Sequence, residues 1–146
     1  FDADMNKFTD DTQAAQSRDL IAKFVDETIA AYPIDKDNIT LIGFSQGAIL
    51  SYSVALKYPE KINRVAALSG YLHTAILPQD LSVEKVNKLR FFISHGIVDQ
   101  VIPVDWARKA PEFLNTLGIA NEYHEYPVGH GVAPQNFYDL VKWLDK

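Results

Sequence analysis

One stretch of the sequence, residues 39–50, constrains the fold more than any other, because it joins two kinds of apolar run through a short turn. Residues 39–42 are apolar and largely β-branched, with the length of a buried strand. The sequence Gly-Phe-Ser-Gln-Gly follows at residues 43–47, and the apolar run at residues 48–50 favours a helix. The stretch therefore predicts a strand that turns directly into a helix, with Ser45 at the turn.

The pattern Gly-x-Ser-x-Gly between a strand and a helix is typical of a nucleophile elbow, in which a strained turn exposes the serine oxygen. We expect Gly43 and Gly47 to let the strand and the helix approach each other without a Cβ clash. The amino terminus of the helix would point free N–H groups at the reaction centre. A glycine-rich turn whose serine merely caps the helix explains the same pattern, so this stretch alone leaves both interpretations open.

Composition narrows the classes of function. The length of 146 residues suits one domain, and a hydrophobic fraction of 47% is enough for a core. A net charge of −5 argues against a nucleic-acid partner, and the absence of cysteine excludes a disulfide framework or a thiolate metal site within these residues. The apolar runs are shorter than a membrane span, so we expect no stable membrane insertion; with no visible targeting segment, the expected location is cytoplasmic.

Helical and strand-like patterns alternate along the chain. A helical period covers residues 12–32, with capping oxygens on Thr9, Asp10 and Asp11 and a stop at Pro33. The other expected elements are a helix at 46–58, a strand at 65–68, a flap with one helical turn at 71–89, a strand at 90–94, a helix at 104–117 that Pro111 should kink or split, a strand at 121–126 and a helix from Pro134. This alternation predicts an α/β fold with a parallel sheet of about four strands flanked by helices.

Reactive side chains follow three of the predicted strands. Ser45 follows the first strand, Asp99 the third and His130 the fourth. Functional groups of parallel sheets gather at the carboxyl ends of the strands, and the chain order Ser, Asp, His is that of α/β-hydrolases. The pattern predicts Ser45 as nucleophile, His130 as general base and Asp99 as the acid that orients the imidazole.

The other histidines and acids have simpler explanations. His95 ends a buried strand, so we expect it to be a structural hydrogen-bonding residue near the site. Asp105 lies at a helix start, where capping explains it. His73 lies in the flap and is a candidate for a substrate contact. We expect His124 to be solvated or packed and Asp80 to face solvent.

Four segments resemble the phospholipase/carboxylesterase family, the acyl-protein thioesterase-like branch of the α/β-hydrolases. They read GFSQGA at residues 43–48, LSGYL at 68–72, HGIVDQVIPV at 95–104 and YPVGH at 126–130. The resemblance extends over nearly the whole chain from residue 12 onward. It implies hydrolysis of a small acyl ester or thioester substrate by Ser45, Asp99 and His130, with no cofactor and no metal.

Members of this family carry several strands before the helix that opens this chain, with an oxyanion-hole loop after one of them. The resemblance thus implies a single domain over residues 1–146 that is the C-terminal portion of an α/β-hydrolase fold, without the N-terminal strands and the oxyanion loop. The backbone N–H of Gln46 would supply one oxyanion donor. Losing the other donor typically costs about 10²–10³ in kcat, so we expect weak activity from the chain as given.

Two further expectations concern surfaces. Residues Tyr71, Leu72, Ile76 and Leu77 are candidates for an acyl-binding groove, and the alternative is that they only cover the core. Without an upstream neighbour, the elbow strand at residues 40–44 would expose unpaired backbone groups that no lysine or proline blunts. The chain is therefore expected to aggregate, to self-associate through this edge or to be only marginally folded.

Three functions fit the sequence to different degrees. The leading hypothesis is a serine hydrolase acting through an acyl-enzyme. The alternative is a catalytically impaired fragment or a partner-binding module that retains the triad. A peptidase of the same fold is a weaker third hypothesis, since it would usually bring a second domain.

Overall fold

Four parallel strands form one sheet in the order β1-β2-β3-β4. The structure, a computed structural model, describes residues 10–146. The elements are α1 (Asp11–Ala31), β1 (Thr40–Phe44), α2 (Gln46–Lys57), β2 (Arg64–Leu68), α3 (Val83–Val86), β3 (Arg90–Gly96), α4 (Val104–Thr116), β4 (Ala120–Tyr126) and α5 (Pro134–Leu144). The expected α/β fold is confirmed, and none of the described helices is long and apolar enough to cross a membrane.

The two faces of the sheet bury separate apolar clusters. In the strand register Val65 pairs with Phe91, and these side chains join the main core with residues of α1, α2 and α4. Ala66 and Phe92 point to the opposite face, where they pack against Leu140 and Trp143 of α5. Strands that are buried on both faces have continuous apolar sequences. The short apolar runs therefore predicted β2 and β3 correctly.

The first helix begins where the sequence offers capping oxygens. Asp10 is the N-cap of α1, and its carboxylate accepts a 3.0 Å hydrogen bond from the backbone N–H of Gln13. Of the other two candidate caps, Asp11 is the first residue of the helix and Thr9 lies outside the described residues. The helix ends two residues before Pro33, as the sequence predicts.

Proline 111 does not split its helix. α4 runs without a break from Val104 to Thr116 with Pro111 inside it, so the expectation of a split was wrong. Proline removes the N–H that the carbonyl of Ala107 would otherwise accept. The buried residues Ala107, Ala110 and Leu114 lie on both sides of the proline, and their packing against the sheet holds the helix together.

The flap between β2 and β3 is fastened to α1. It contains a 3-10 turn at Thr74–Ile76 as well as the short helix α3. Buried Arg18 of α1 donates from Nη1 to the carbonyl of Ile76 at 2.6 Å, and His73 Nε2 lies 2.6 Å from Asp11 Oδ1. These contacts give the flap a fixed position over the core.

Strand β1 is an edge of the described sheet. It pairs only with β2 among residues 10–146, and the side chains of Ile42 and Phe44 are 56% and 44% exposed. Unpaired N–H and C=O groups beside exposed apolar side chains are a template for pairing with another chain.

We predict that the 146-residue chain self-associates through this edge. Sedimentation velocity should show species larger than a monomer that increase with concentration. The variant Ile42→Lys, which places a charge on the edge strand, should shift the population toward monomer. A monodisperse wild-type monomer that unfolds cooperatively at all concentrations would rule this prediction out.

Candidate active site

Ser45 occupies a strained turn between β1 and α2. Its backbone has φ 56° and ψ −117°, a left-handed conformation that non-glycine residues seldom adopt. Its N–H donates to the carbonyl of Leu68 on the neighbouring strand at 2.9 Å. Although Ser45 stands at the N-cap position of α2, its side chain makes no capping hydrogen bond. The hydroxyl is instead 3.0 Å from Nε2 of His130, so the geometry favours the elbow over the capping interpretation.

Only one glycine of the pentapeptide is required by close packing. A Cβ on Gly43 would lie 2.3 Å from the carbonyl oxygen of Gly47, whereas a Cβ on Gly47 would meet no atom of residues 10–146 within 4 Å. The expectation that both glycines relieve a clash is therefore wrong for Gly47. Strand β1 approaches the backbone of α2 most closely at Gly43. The Cβ position of Gly47 points away from this contact.

This difference gives a matched pair of variants. Gly43→Ala should destabilise the protein by at least about 2 kcal/mol, because the clash is with backbone that cannot rotate away. Gly47→Ala should stay within about 1 kcal/mol of wild type, on the stabilising side, since alanine favours the helix. Urea unfolding of both variants measures the difference. Equal stabilities for the two would contradict the packing described for the turn.

Asp99 lies in the loop after β3, with a fully buried side chain. Its Oδ1 accepts hydrogen bonds from the backbone N–H groups of Val101 and Ile102, both at 2.8 Å. Its Oδ2 is 2.7 Å from Nδ1 of His130. The loop amides thus hold one oxygen of the carboxylate while the other faces the imidazole.

His130 links the other two residues from the loop after β4. Its ring contacts Asp99 through Nδ1 and Ser45 through Nε2, and the ring of Phe44 lies 5.0 Å from it between centroids. Since a carboxylate only accepts, Nδ1 carries the proton and Nε2 is free to accept the serine proton. The structure therefore brings together Ser45, Asp99 and His130 in the arrangement of a catalytic triad.

Backbone contacts fix the loop that carries His130. The N–H of Val98 donates to the carbonyl of Val128 at 3.2 Å. A Cβ on Gly96 would lie 2.1 Å from the carbonyl oxygen of Gly129, so the end of β3 approaches this loop more closely than any other residue type would allow. Ser69, which the sequence analysis did not single out, donates from Oγ to the carbonyl of Gly131 at 3.3 Å. Its place directly after β2 in the segment LSGYL was the available signal.

The other histidines lie away from the serine hydroxyl. His95 is buried, with Nε2 2.8 Å from the carbonyl oxygen of Ile102, as expected for a structural hydrogen-bonding residue. His124 stacks on Phe92 at 5.2 Å between ring centroids, and His73 pairs with Asp11.

Neither alternative acid contacts a histidine. Asp80 is solvent-facing, as expected. Asp105 does not cap α4, because Pro103 holds the cap position and the Asp105 carboxylate pairs with Arg108 at 2.9 Å. Among residues 10–146 no group of three or more metal-ligating side chains clusters.

Gln46 is the first residue of α2, immediately after the serine. The first N–H groups of a helix have no acceptor within the helix, so its amide is available to a ligand. A cavity of about 220 Å³ lies beside it, between the starts of α1 and α2. It is lined by Asp10, Gln13, Ala14, Ser17, Gln46, Ile49 and Leu50. The oxyanion role of Gln46 stays a prediction.

The four candidates for an acyl groove are integrated into the core. Tyr71 is 2% exposed and packs edge-on against Trp106, with ring centroids 5.2 Å apart. Ile76 is buried, and Leu72 and Leu77 pack against the main cluster. These contacts are the ones that the core-covering alternative predicts, and acyl binding by these residues stays untested.

Exposed apolar side chains lie instead in the two loops that carry the acid and the base. Val98 is 61% exposed on one side of Asp99, and Val101 is exposed on the other side. Val132 is exposed just after His130. These residues were not predicted from the sequence. Their position as apolar residues in loops beside Asp99 and His130 was the available signal.

Four parallel strands with covering helices and a serine at the strand-to-helix elbow define an α/β-hydrolase. A family described as Phospholipase/Carboxylesterase matches residues 1–146, so the chain belongs to that family. The resemblance carried by the four segments is confirmed.

Curated relatives agree with this assignment. The chain is 29% identical over 136 residues to a probable carboxylesterase of Oryza sativa subsp. japonica, covering 92% of this chain and 51% of the relative. It is 31% identical over 121 residues to the probable carboxylesterase SOBER1-like of Arabidopsis thaliana, covering 82% of this chain and 46% of the relative. It is 28% identical to acyl-protein thioesterase 1 of Mycosarcoma maydis, with coverages of 98% and 65%. The chain thus spans about half to two thirds of the length of these relatives.

Solved structures share the fold. The carboxylesterase of Bacillus cereus superposes with a TM-score of 0.81 at 19% identity, covering 93% of this chain and 62% of that one. Acyl-protein thioesterase 2 of Zea mays superposes with a TM-score of 0.79 at 20% identity, with coverages of 99% and 69%.

Proposed function

We propose that this chain carries the catalytic triad of a serine hydrolase that cleaves carboxylic esters or thioesters. The observation that carries the proposal is the continuous contact from Asp99 through His130 to Ser45, with distances of 2.7 and 3.0 Å. The three side chains come from the carboxyl ends of three strands, where parallel sheets place their functional groups. The names of the relatives, carboxylesterase and acyl-protein thioesterase, support the substrate class.

The geometry supports a two-step reaction. Nε2 of His130 accepts the Ser45 proton while Oγ attacks the acyl carbonyl, and the imidazolium then protonates the departing alcohol or thiol. A water molecule, deprotonated by the same nitrogen, attacks the acyl-enzyme and releases the acid. Asp99 keeps the proton on Nδ1 and offsets the positive charge of the imidazolium in each step.

The oxyanion that forms in each step needs hydrogen-bond donors. The amide of Gln46 stands at the amino terminus of α2, where the helix dipole adds a partial positive charge. We propose that this amide is one donor for the oxyanion. Because one donor fewer typically costs about 10²–10³ in kcat, a site with this donor alone predicts weak hydrolysis by the 146 residues.

A second candidate function deserves a test because the chain spans only part of the length of its relatives. In this alternative, the chain is a catalytically impaired fragment or a partner-binding module that retains the triad. Such a chain would have the same contacts without a measurable acyl-enzyme.

Hydrolysis of matched substrates separates these functions. The chain should release p-nitrophenol from p-nitrophenyl butyrate and thiol from a butyryl thioester, with Ser45→Ala as the inactive control. A chromogenic peptide should remain intact. Rates equal to those of Ser45→Ala on both acyl substrates, from chain shown to be folded by circular dichroism, would reject the hydrolase and favour the impaired alternative.

A further inference from the structure

His95 is buried beside the acid of the triad. It lies near the end of β3, and its side chain has no exposed surface. Its Nε2 faces two oxygens at once: the carbonyl of Ile102 at 2.8 Å and Oδ2 of Asp99 at 3.2 Å. A carbonyl oxygen can only accept, so Nε2 carries the proton and donates it to Ile102, while Oδ2 of Asp99 lies close to the same nitrogen.

One other acid among the described residues, Glu125, lies near this imidazole, but it is engaged by a different side chain. Nδ1 of His95 has no hydrogen-bond partner among the described residues. Glu125 stands opposite His95 in the strand register, but its carboxylate is bound by the guanidinium of Arg108 at 2.6 and 3.0 Å. That guanidinium lowers the pKa of Glu125 to about 2, so this carboxylate stays ionised and engaged. Asp99 is thus the only carboxylate among the described residues that lies at ion-pair distance from His95.

The carboxylate of Asp99 accepts three hydrogen bonds and has His95 as a close neighbour. Two backbone amides donate to Oδ1 and Nδ1 of His130 donates to Oδ2 at 2.7 Å, while Nε2 of His95 lies 3.2 Å from Oδ2. Hydrogen bonds to both oxygens fix the plane of the carboxylate, with Oδ2 pointing at Nδ1 of His130.

We infer that His95 is a positioning residue for the proposed reaction, acting on His130 through the carboxylate of Asp99. Its N–H binds the carbonyl of Ile102, whose own N–H donates to Oδ1 of Asp99, and these two bonds keep the carboxylate in line with the base. The same N–H dipole lies close to Oδ2, so its field limits how strongly Asp99 holds the imidazolium. The inference rests on the proposed function for its effect on rate, but the geometric effect on His130 does not depend on turnover.

A purely structural explanation competes with this one. His95 also binds the carbonyl of Ile102, and that bond alone would steady the loop at residues 97–103. Loss of that bond would lower stability without altering the protonation behaviour of His130. The test therefore needs a measurement that loop stability does not move.

The pair His95→Gln and His95→Phe provides it. The amide of glutamine can reach the position of Nε2, whereas phenylalanine keeps the volume and removes the donor. We expect His95→Phe to lower kcat by about tenfold with KM nearly unchanged, and His95→Gln to stay within about threefold of wild type. In His95→Phe the acid limb of the kcat/KM profile should move to higher pH, because Asp99 would hold the protonated His130 more firmly.

A spectroscopic measurement tests the inference without turnover. The proton between His130 and Asp99 should give a downfield NMR signal that is absent in His130→Ala. This signal should move in His95→Phe and return in His95→Gln, while His124→Phe, a histidine outside the triad, should leave it in place. If His95→Phe does not fold, His95→Asn replaces it, because the shorter amide cannot reach Asp99.

The outcomes distinguish a failure of the positioning role from a failure of the proposed function. An unmoved signal and an unmoved pH profile in a folded His95→Phe or His95→Asn variant would overturn the positioning role and leave the proposed function standing. A wild-type chain that hydrolyses neither acyl substrate would reject the proposed function, and the NMR signal would still decide whether His95 positions the pair.

Discussion

Replacing His130 with alanine should abolish hydrolysis of p-nitrophenyl esters. The imidazole is the only group within hydrogen-bonding distance of the Ser45 hydroxyl among the described residues, so nothing else in the site can take its proton. In a serine protease, loss of the histidine alone costs about 10⁶ in kcat, and we expect a loss that reaches the background rate here.

The contrast with His95 makes this prediction specific. His95→Ala should keep a measurable fraction of the activity, because His95 contacts Asp99 but not the serine. Initial rates of the two variants at saturating ester provide the comparison. An inactive His95→Ala beside an active His130→Ala would show that the base has been assigned to the wrong histidine.

The second large effect concerns Asp99→Asn, which should preserve the fold and lower kcat by up to about 10⁴. Two backbone amides donate to Oδ1, so the asparagine would keep its oxygen there and turn its NH₂ toward His130. That donor would force the proton of the imidazole onto Nε2, the nitrogen that has to accept the proton of Ser45. The same NH₂ would also oppose the N–H of His95.

Steady-state kinetics beside a thermal melt measure the effect. A folded Asp99→Asn variant with nearly normal kcat would mean that another carboxylate orients the base. Asp105→Asn would then be the next variant, although the structure pairs that carboxylate with Arg108.

The order of elements and the three reactive residues could be read from the sequence for a physical reason. Parallel strands bring their carboxyl ends to one edge, so Ser45, Asp99 and His130 had to lie near one another once their strands were recognised. The elbow was readable because Gly-x-Ser-x-Gly joins an apolar strand pattern directly to an apolar helical pattern, although the strand β1 is an exposed edge and not a buried strand.

Other features depend on contacts between distant segments, which sequence spacing does not specify. The free space at Gly47 and the intact helix around Pro111 follow from how α2 and α4 pack. The surroundings of Asp99 arise because a loop folds back on Oδ1 of its own carboxylate and a buried strand brings His95 to Oδ2. His95 and Asp99 are four positions apart in the sequence, but that spacing does not tell which atoms meet.

Labelling with a fluorophosphonate probe tests the central claim most directly, because the probe reacts with an activated serine without requiring complete turnover. The account predicts one labelled peptide carrying the probe on Ser45, no label in Ser45→Ala, and strongly slowed labelling in His130→Ala. A folded wild-type chain that stays unlabelled, or that carries the probe on a different serine, would contradict it.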